Sequence, residues 1–255
     1  MKLTAIAFED FPEVEFSSQL SNLILDSAEE NHWTWEDGDI LVLAQKIVSK
    51  SENRIVNLED INPGKSAFQY ANITGKDPRF LELILRESQK VIRTRKGLII
   101  VQHKLGFICA NAGIDHSNVK GKNDRPDQWV LLLPENPDLS AKTIRSTIQN
   151  QTGKQIGVVI IDSHGRPWRN GIVGISIGIS GVPAVIDRRG SPDRFGYQLR
   201  VTEIGSADEL AATASILMGQ ADEGRPVVVI RGFPYPLRES NFSEIIRDEK
   251  DDLFR

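Results

Sequence analysis

The apolar and polar positions of the chain fall into blocks whose period predicts the elements. Mainly apolar runs of strand length occupy residues 40–44, 98–102, 129–133, 158–161 and 227–230, with further candidates at 2–8 and 107–110. Such runs predict buried strands. Apolar residues three and four apart predict helices. Leu20, Leu23, Ile24 and Ser27 make the inner face of one, capped by Ser17 or Ser18 and running to about Asn31. Asp77-Pro78 starts a second, carrying Leu81, Ile84, Leu85, Ser88 and Val91, with Lys90, Arg93, Arg95 and Lys96 favouring the dipole at its end. A third covers 139–151 and stops at Gly153. A fourth opens on the capping box Ser206 to Glu209 and reaches about Gly219. Residues 171–181 mix glycine with β-branched residues, which predicts a strand in close backbone packing. Residues 57–76 read as a loop with a short helical turn, 120–127 as a mobile polar loop, and 238–255 as a solvated terminal helix. A helix leading from one strand to another makes the region mixed α/β.

Composition narrows the class. With 255 residues, 40% hydrophobic and 26% charged, the chain can bury a sizeable core. A net charge of -4 argues against general nucleic-acid binding. The single cysteine, Cys109, excludes an intramolecular disulfide and reads as a buried, inert thiol. No apolar run is long enough to span a membrane, and no signal peptide is visible, so the cytoplasm is expected.

Two polar segments follow apolar runs and carry the candidate chemistry. Asp162 and Ser163 come directly after 158–161, in a loop with the rigid turn Gly165 to Pro167. Arg166 and Arg169 flank Trp168 there, two cations of the kind phosphate chemistry uses. Residues 110–118, ANAGIDHSN, hold Asp115 and Asn118 among small residues. Carboxylate, hydroxyl and amide oxygens suit Mg²⁺ or Mn²⁺. Polar turns with solvated aspartates fit the same residues. Lys46 and Lys50, just past the 40–44 run, read as phosphate contacts or as two solvated lysines. His103, His116 and His164 are isolated, no zinc spacing occurs, and there is no P-loop or GxSxG elbow. The residues by themselves reach a metal-dependent phosphate enzyme and go no further.

Four segments carry a resemblance: DGDILVLAQKIVSKSENRIV (37–56), VIRTRKGLIIVQHKLGFICANAGIDHSNV (91–119), IDSHGRPWRNG (161–171) and ADELAATASILMGQADEGRPVVVIRG (207–232). The chain resembles the coenzyme F420-0:L-glutamate ligase family, the gamma-glutamyl ligases of deazaflavin cofactor synthesis. That resemblance implies an α+β fold, mixed sheets with flanking helices, in an intertwined homodimer. It implies one catalytic unit over 1–255, without the flavin-binding-like second domain fused in some relatives. The implied reaction uses GTP and Mg²⁺ or Mn²⁺, with K⁺ as a further candidate ion, to phosphorylate the terminal carboxylate of coenzyme F420-0. L-glutamate then attacks the acyl phosphate to form a gamma-linked amide. By position, Asp115 and Asp162 are implied as catalytic metal ligands, joined by Ser163 and Gln220. Phe11, Pro12, Glu13, Val14, Gln45, Lys46, Lys50 and Asn118 are implied as nucleotide contacts. So are Met218, Gly219, Gln220, Ala221, Asp222, Glu223, Gly224 and Arg225. Departures are Phe16-Ser17-Ser18 for a common Gly-Asp-Asp, Asn53 for Gly, Ser163 for Thr and His164 for an aromatic. A ligase of the same chemistry on another carboxylate and amine, or a GTP-binding dimer without catalysis, are the alternatives.

Overall fold

The chain opens with strand β1 (Thr4–Ala7) and helix α1 (Leu20–Glu30) in the computed structural model, which describes residues 1–119 and 125–254. Residues 120–124 of the expected polar loop lie outside them. Leu20, Ile24, Ser27 and Ala28 form the buried face of α1. Its N-cap is Gln19, without a side-chain bond; Ser18 instead accepts from the Glu15 amide. β2 (Ile40–Ala44) runs without a break into α2 (Gln45–Ser51), and β3 (Ile55–Asn57) follows. α3 (Lys65–Thr74) occupies a stretch expected to be loop. Ala67, Tyr70, Ala71 and Thr74 do keep helical spacing there, but small and amphipathic side chains make that stripe faint.

α4 (Pro78–Arg86) starts as expected, with the Asp77 carboxylate accepting from the Arg79 amide at 2.8 Å. It stops at Arg86. Ser88–Arg95 form β4, so Val91 is a strand residue, and Lys90, Arg93 and Arg95 face water from an edge strand. Charge on an edge blocks unwanted pairing. β4 pairs with β5 (Leu98–His103), which pairs with β6 (Ile108–Ala110), both antiparallel. β7 (Trp129–Leu131) pairs with β3. α5 (Pro137–Thr152), capped by Asn136 and ended by left-handed Gly153, leads to β8 (Gly157–Arg166) and β9 (Arg169–Ser180).

β10 (Ile186–Asp187) and β11 (Glu203–Ile204) clasp the base of an exposed loop. α6 (Ser206–Met218) and β12 (Val227–Arg231) follow. Ser206 does not cap α6: its hydroxyl donates to the carbonyls of Pro183 and Ala184, and the N-cap is Gly205. The tail holds two short 3₁₀ turns, Phe242–Glu244 and Glu249–Asp251, where a helix was expected. Phe242 is buried edge-on against Phe107, so packing rather than helix periodicity holds the tail.

The central sheet has the order β1-β12-β2-β8-β9. β2 and β8 run parallel and the other neighbours antiparallel. Leu41, Leu43, Val158 and Ile160 pack in one core with α1 and α5. Ile40, Val42, Val159 and Ile161 pack in a second core with α6. Burial on both faces explains why these strands read as uninterrupted apolar runs. Each such side chain contributes about 1.5–3 kcal/mol. The fold is α+β, with several mixed sheets and flanking helices.

Candidate active site

Ala44 at the end of β2 lies opposite Ile161 of β8. Ligand sites in open α/β sheets form beyond the carboxyl ends of parallel strands. One residue further on, β2 becomes α2 at Gln45, and β8 reaches Asp162 and Ser163. β8 does not stop there. Asp162 pairs with Ile175 and Ser163 with Gly174, and the hairpin closes at Arg166 and Arg169. The polar residues are strand residues whose hairpin extends past the core, which is why they looked like a loop.

A cavity of about 680 Å³ opens at this point. Its lining takes in Phe11, Pro12, Glu13 and Val14; Gln45, Lys46 and Lys50; Asn118; Asp162 and Ser163; and every residue from Met218 to Arg225. Of the residues that the resemblance implies as metal ligands or nucleotide contacts, only Asp115 stands back from the lining, next to Gln45 and Lys46.

Close backbone approach assembles one wall. A Cβ on Gly174 would lie 2.6 Å from Ser215 Cβ and 2.8 Å from the Ala211 carbonyl, so α6 rests directly on β9. That contact brings the end of α6 beside β8. Ser163 Oγ donates to Gln220 Oε1 at 2.6 Å, and Gln220 Nε2 donates to Ser215 Oγ at 3.0 Å. Asn118, in left-handed backbone at φ 57°, donates from Nδ2 to the Ala221 carbonyl at 3.1 Å. The Glu223 carboxylate accepts from the Ala221 amide at 2.8 Å and lies over Gly219, φ 73°.

The opposite wall centres on Gln45. Its Oε1 accepts from Ser49 Oγ at 2.9 Å, and its Nε2 donates to Asp115 Oδ2 at 3.1 Å. Lys46 Nζ donates to the carbonyl and Oγ of Ser117 and stands 3.4 Å from Asp115 Oδ2. An antiparallel bridge to Leu131 fixes the Asp115 backbone. Burial, and after it the charge of Asp115, push the Asp162 carboxyl up to about 7 against the opposing Ser163 amide, Lys46 and Gln45. The two carboxylates are therefore within electrostatic reach of each other. Asp162, Ser163 and Gln220 line the cavity and Asp115 stands behind Gln45; their oxygens, without sulfur or imidazole, are of the donor type that Mg²⁺ or Mn²⁺ takes. A divalent cation there would also offset the burial and the Asp115 charge that disfavour the ionised Asp162. Among the described residues no group of three or more His, Cys, Asp and Glu side chains could hold a metal.

The lysines are not free in solvent. Lys50 is buried and donates to Glu13, and Lys46 holds the 115–118 turn. Arg225 pairs with Glu9 at 2.9 Å. Lys46, Lys50 and Arg225 are the cations in the wall. Arg166 and Arg169 stand at the hairpin tip, outside this lining. His103 is buried, His164 meets the Ile108 carbonyl at 3.0 Å, and His116 lies against Phe80 at the rim. Cys109 is buried, its thiol pushed up to about 12 mainly by burial, as an inert thiol should be. Ser49, Ser117 and Ser215 were not singled out. Single hydroxyls beside a turn or within a helix carry no spacing signal.

A mixed sheet whose parallel strands end at an oxygen-rich, lysine-flanked cavity defines an enzyme built to handle anions. Residues 10–232 match the model of the F420-0:gamma-glutamyl ligase family. The chain belongs to that family and is a ligase. It is 46% identical over 221 residues to a protein of Methanocaldococcus jannaschii named coenzyme F420:L-glutamate ligase, covering 86% of each chain. It is 42% identical over 257 residues to one of the same name from Methanothermobacter thermautotrophicus, covering 100% of both. A third, from Methanopyrus kandleri, is 41% identical over 247 residues, 95% of this chain and 94% of the other.

Proposed function

We propose that the protein joins L-glutamate to coenzyme F420-0 through a gamma-linked amide, driven by GTP. The observation that carries the reading is the convergence of Asp162, Ser163 and Gln220, with Asp115 alongside, on one cavity. The printed names of the relatives supply the acceptor and the amino acid. A carboxylate is a poor electrophile, and phosphorylating it creates a leaving group. In this reading an oxygen of the acceptor carboxylate takes the γ-phosphoryl of GTP, giving an acyl phosphate and GDP. The glutamate amine attacks the acyl carbon, and the C–O bond to phosphate breaks as the C–N bond forms and the amine loses its proton. Asp115, Asp162, Ser163 and Gln220 would hold Mg²⁺ or Mn²⁺, whose positive charge would offset that of the transferred phosphoryl group. Lys46, Lys50 and Arg225 exchange their present partners for phosphate oxygens, and the 11–14 and 218–225 segments grip the nucleotide. A homodimer and a K⁺ requirement belong to the same reading.

The test incubates the protein with GTP, Mn²⁺, L-glutamate and coenzyme F420-0. Mass spectrometry should show glutamyl additions to the acceptor, with GDP formed in proportion. Glutamate-independent GTP hydrolysis, or no product from freshly folded protein, would remove the assignment.

A further inference from the structure

The tip of the β8–β9 hairpin takes no part in the cavity, yet its backbone is held in an unfavourable state. Arg166 pairs with Arg169, leaving Pro167 and Trp168 as the two turn residues. Proline fixes φ near -65°, and Trp168 stands at φ 63°. Negative then positive φ is the order of a type II turn, whose second central position takes Gly or Asn. A bulky aromatic in left-handed backbone is an outlier that points to function. Packing within the chain does not account for it. Trp168 is 88% exposed, and its ring contact is a tilted one with Phe254, 6.4 Å between centroids. Arg166 gives one N–H to the Gly171 carbonyl, and neither Arg166 nor Arg169 forms a salt bridge among the described residues.

An exposed indole is a stacking surface for a planar ring, and guanidinium groups bind phosphate or carboxylate. The strands carry this tip straight out from the site. Asp162 and Arg166 lie on one strand, separated by about 13 Å at the usual strand rise. We infer that the Pro167–Trp168 tip is a substrate-binding arm that takes the planar, anionic end of an elongated acceptor whose carboxylate lies at Asp162. The inference rests on the ligase reading above and adds to it the part of the acceptor remote from the reaction. The ring stacks on Trp168, and the negative charge of that same end falls to Arg166 and Arg169. An arm of this kind selects the acceptor without touching the reacting atoms.

The experiment is equilibrium dialysis of coenzyme F420-0 against the full chain without nucleotide, followed by steady-state kinetics. Trp168→Ala and Arg169→Ala should each weaken binding about ten-fold, and Trp168→Phe should recover most of the loss at the stacking position. The KM for the acceptor should rise in step, with kcat and the KM for GTP unchanged. Unchanged affinity in both alanine variants overturns the arm, as does absence of acceptor binding by the unaltered protein. A change of assembly mass in Trp168→Ala with unchanged acceptor affinity assigns the tip to contact between copies and also overturns it. Binding that follows the arm's pattern without any turnover supports the arm and rejects the ligase reading.

Discussion

Ser163 Oγ donates to Gln220 Oε1 at 2.6 Å, tying the middle of β8 to the turn that follows α6. Gln220 is held from its other end by Ser215, so its oxygen is aimed before any ligand arrives. Ser163→Ala removes a hydroxyl oxygen and frees the Gln220 amide to rotate. Losing an orienting group of this kind costs about 10–100-fold in metal affinity. Titrating Mn²⁺ against GDP release should show the half-saturating concentration raised accordingly, with Ser163→Thr close to the unaltered protein. A variant with the ordinary Mn²⁺ requirement would take Ser163 out of the donor set.

Asp162 is the acid whose charged form the fold resists most among the site residues, pushed up to about 7 by burial and Asp115. Asp162→Asn keeps the shape and removes the charge. Turnover should fall by about 10³-fold, the scale on which a group acting on transition-state charge is lost. The metal-free variant should melt no lower than the unaltered protein, because an uncharged amide replaces a carboxylate that burial disfavours. Turnover and a thermal melt in chelator check both halves. Near-normal turnover would end the metal-ligand assignment.

Gly219 holds its backbone at φ 73°, with the Glu223 carboxylate folded over it. A Cβ there would lie 2.0 Å from Glu223 Cδ, so the carboxylate would have to leave the Ala221 amide that it accepts from. Gly219→Ala therefore distorts the 218–225 wall through both strain and displacement. With ψ at -171° this backbone lies in a region essentially confined to glycine, and it alone costs an alanine about 1–3 kcal/mol. Calorimetric titration with GTP should show affinity reduced about ten-fold or more. Adding Glu223→Ala should relieve the clash and leave the strain, so recovery should be partial. Full GTP affinity in Gly219→Ala would mean that this turn does not grip the nucleotide.

Legibility followed burial. β2, β8 and β12 were readable because both faces are buried, which leaves a run with no competing period. β4 was taken for the end of α4 because no Gly or Pro separates them, and Ser88 and Val91 happen to continue the helical spacing. The charged side chains that protect this edge strand look, in sequence, like a helix terminus. Asp115, Asn118, Asp162 and Ser163 stood out as donors, while their convergence depends on contacts between distant segments that no local pattern encodes. Gly174 is the instructive case: its want of a side chain lets α6 close on β9 and so sets Gln220 beside Ser163. The sequence showed a glycine-rich strand, and only the packing shows which glycine matters to the site.

His103 should make the fold sensitive to mild acid. It is buried, its Nδ1 accepts from the Leu105 amide at 3.0 Å, and its Nε2 has no partner. Burial lowers its pKa from 6.5 to about 4, and Glu87 nearby opposes this without overcoming it. A folded pKa below the unfolded one means the unfolded chain takes up the proton first. Stability is complete above about pH 6.5 and falls as the pH drops toward 4, by about 3 kcal/mol at the lower end. His116 and His164 shift in the same direction, so the test is a difference between two proteins. His103→Phe keeps a ring against Phe107, whose centroid lies 5.2 Å away, and removes the titration. Urea midpoints measured at pH 7, 5.5 and 4.5 should fall less steeply for the variant, as linkage requires. Parallel pH profiles would mean that His103 takes up its proton as readily in the folded protein as in the unfolded chain, and would overturn the account of its burial.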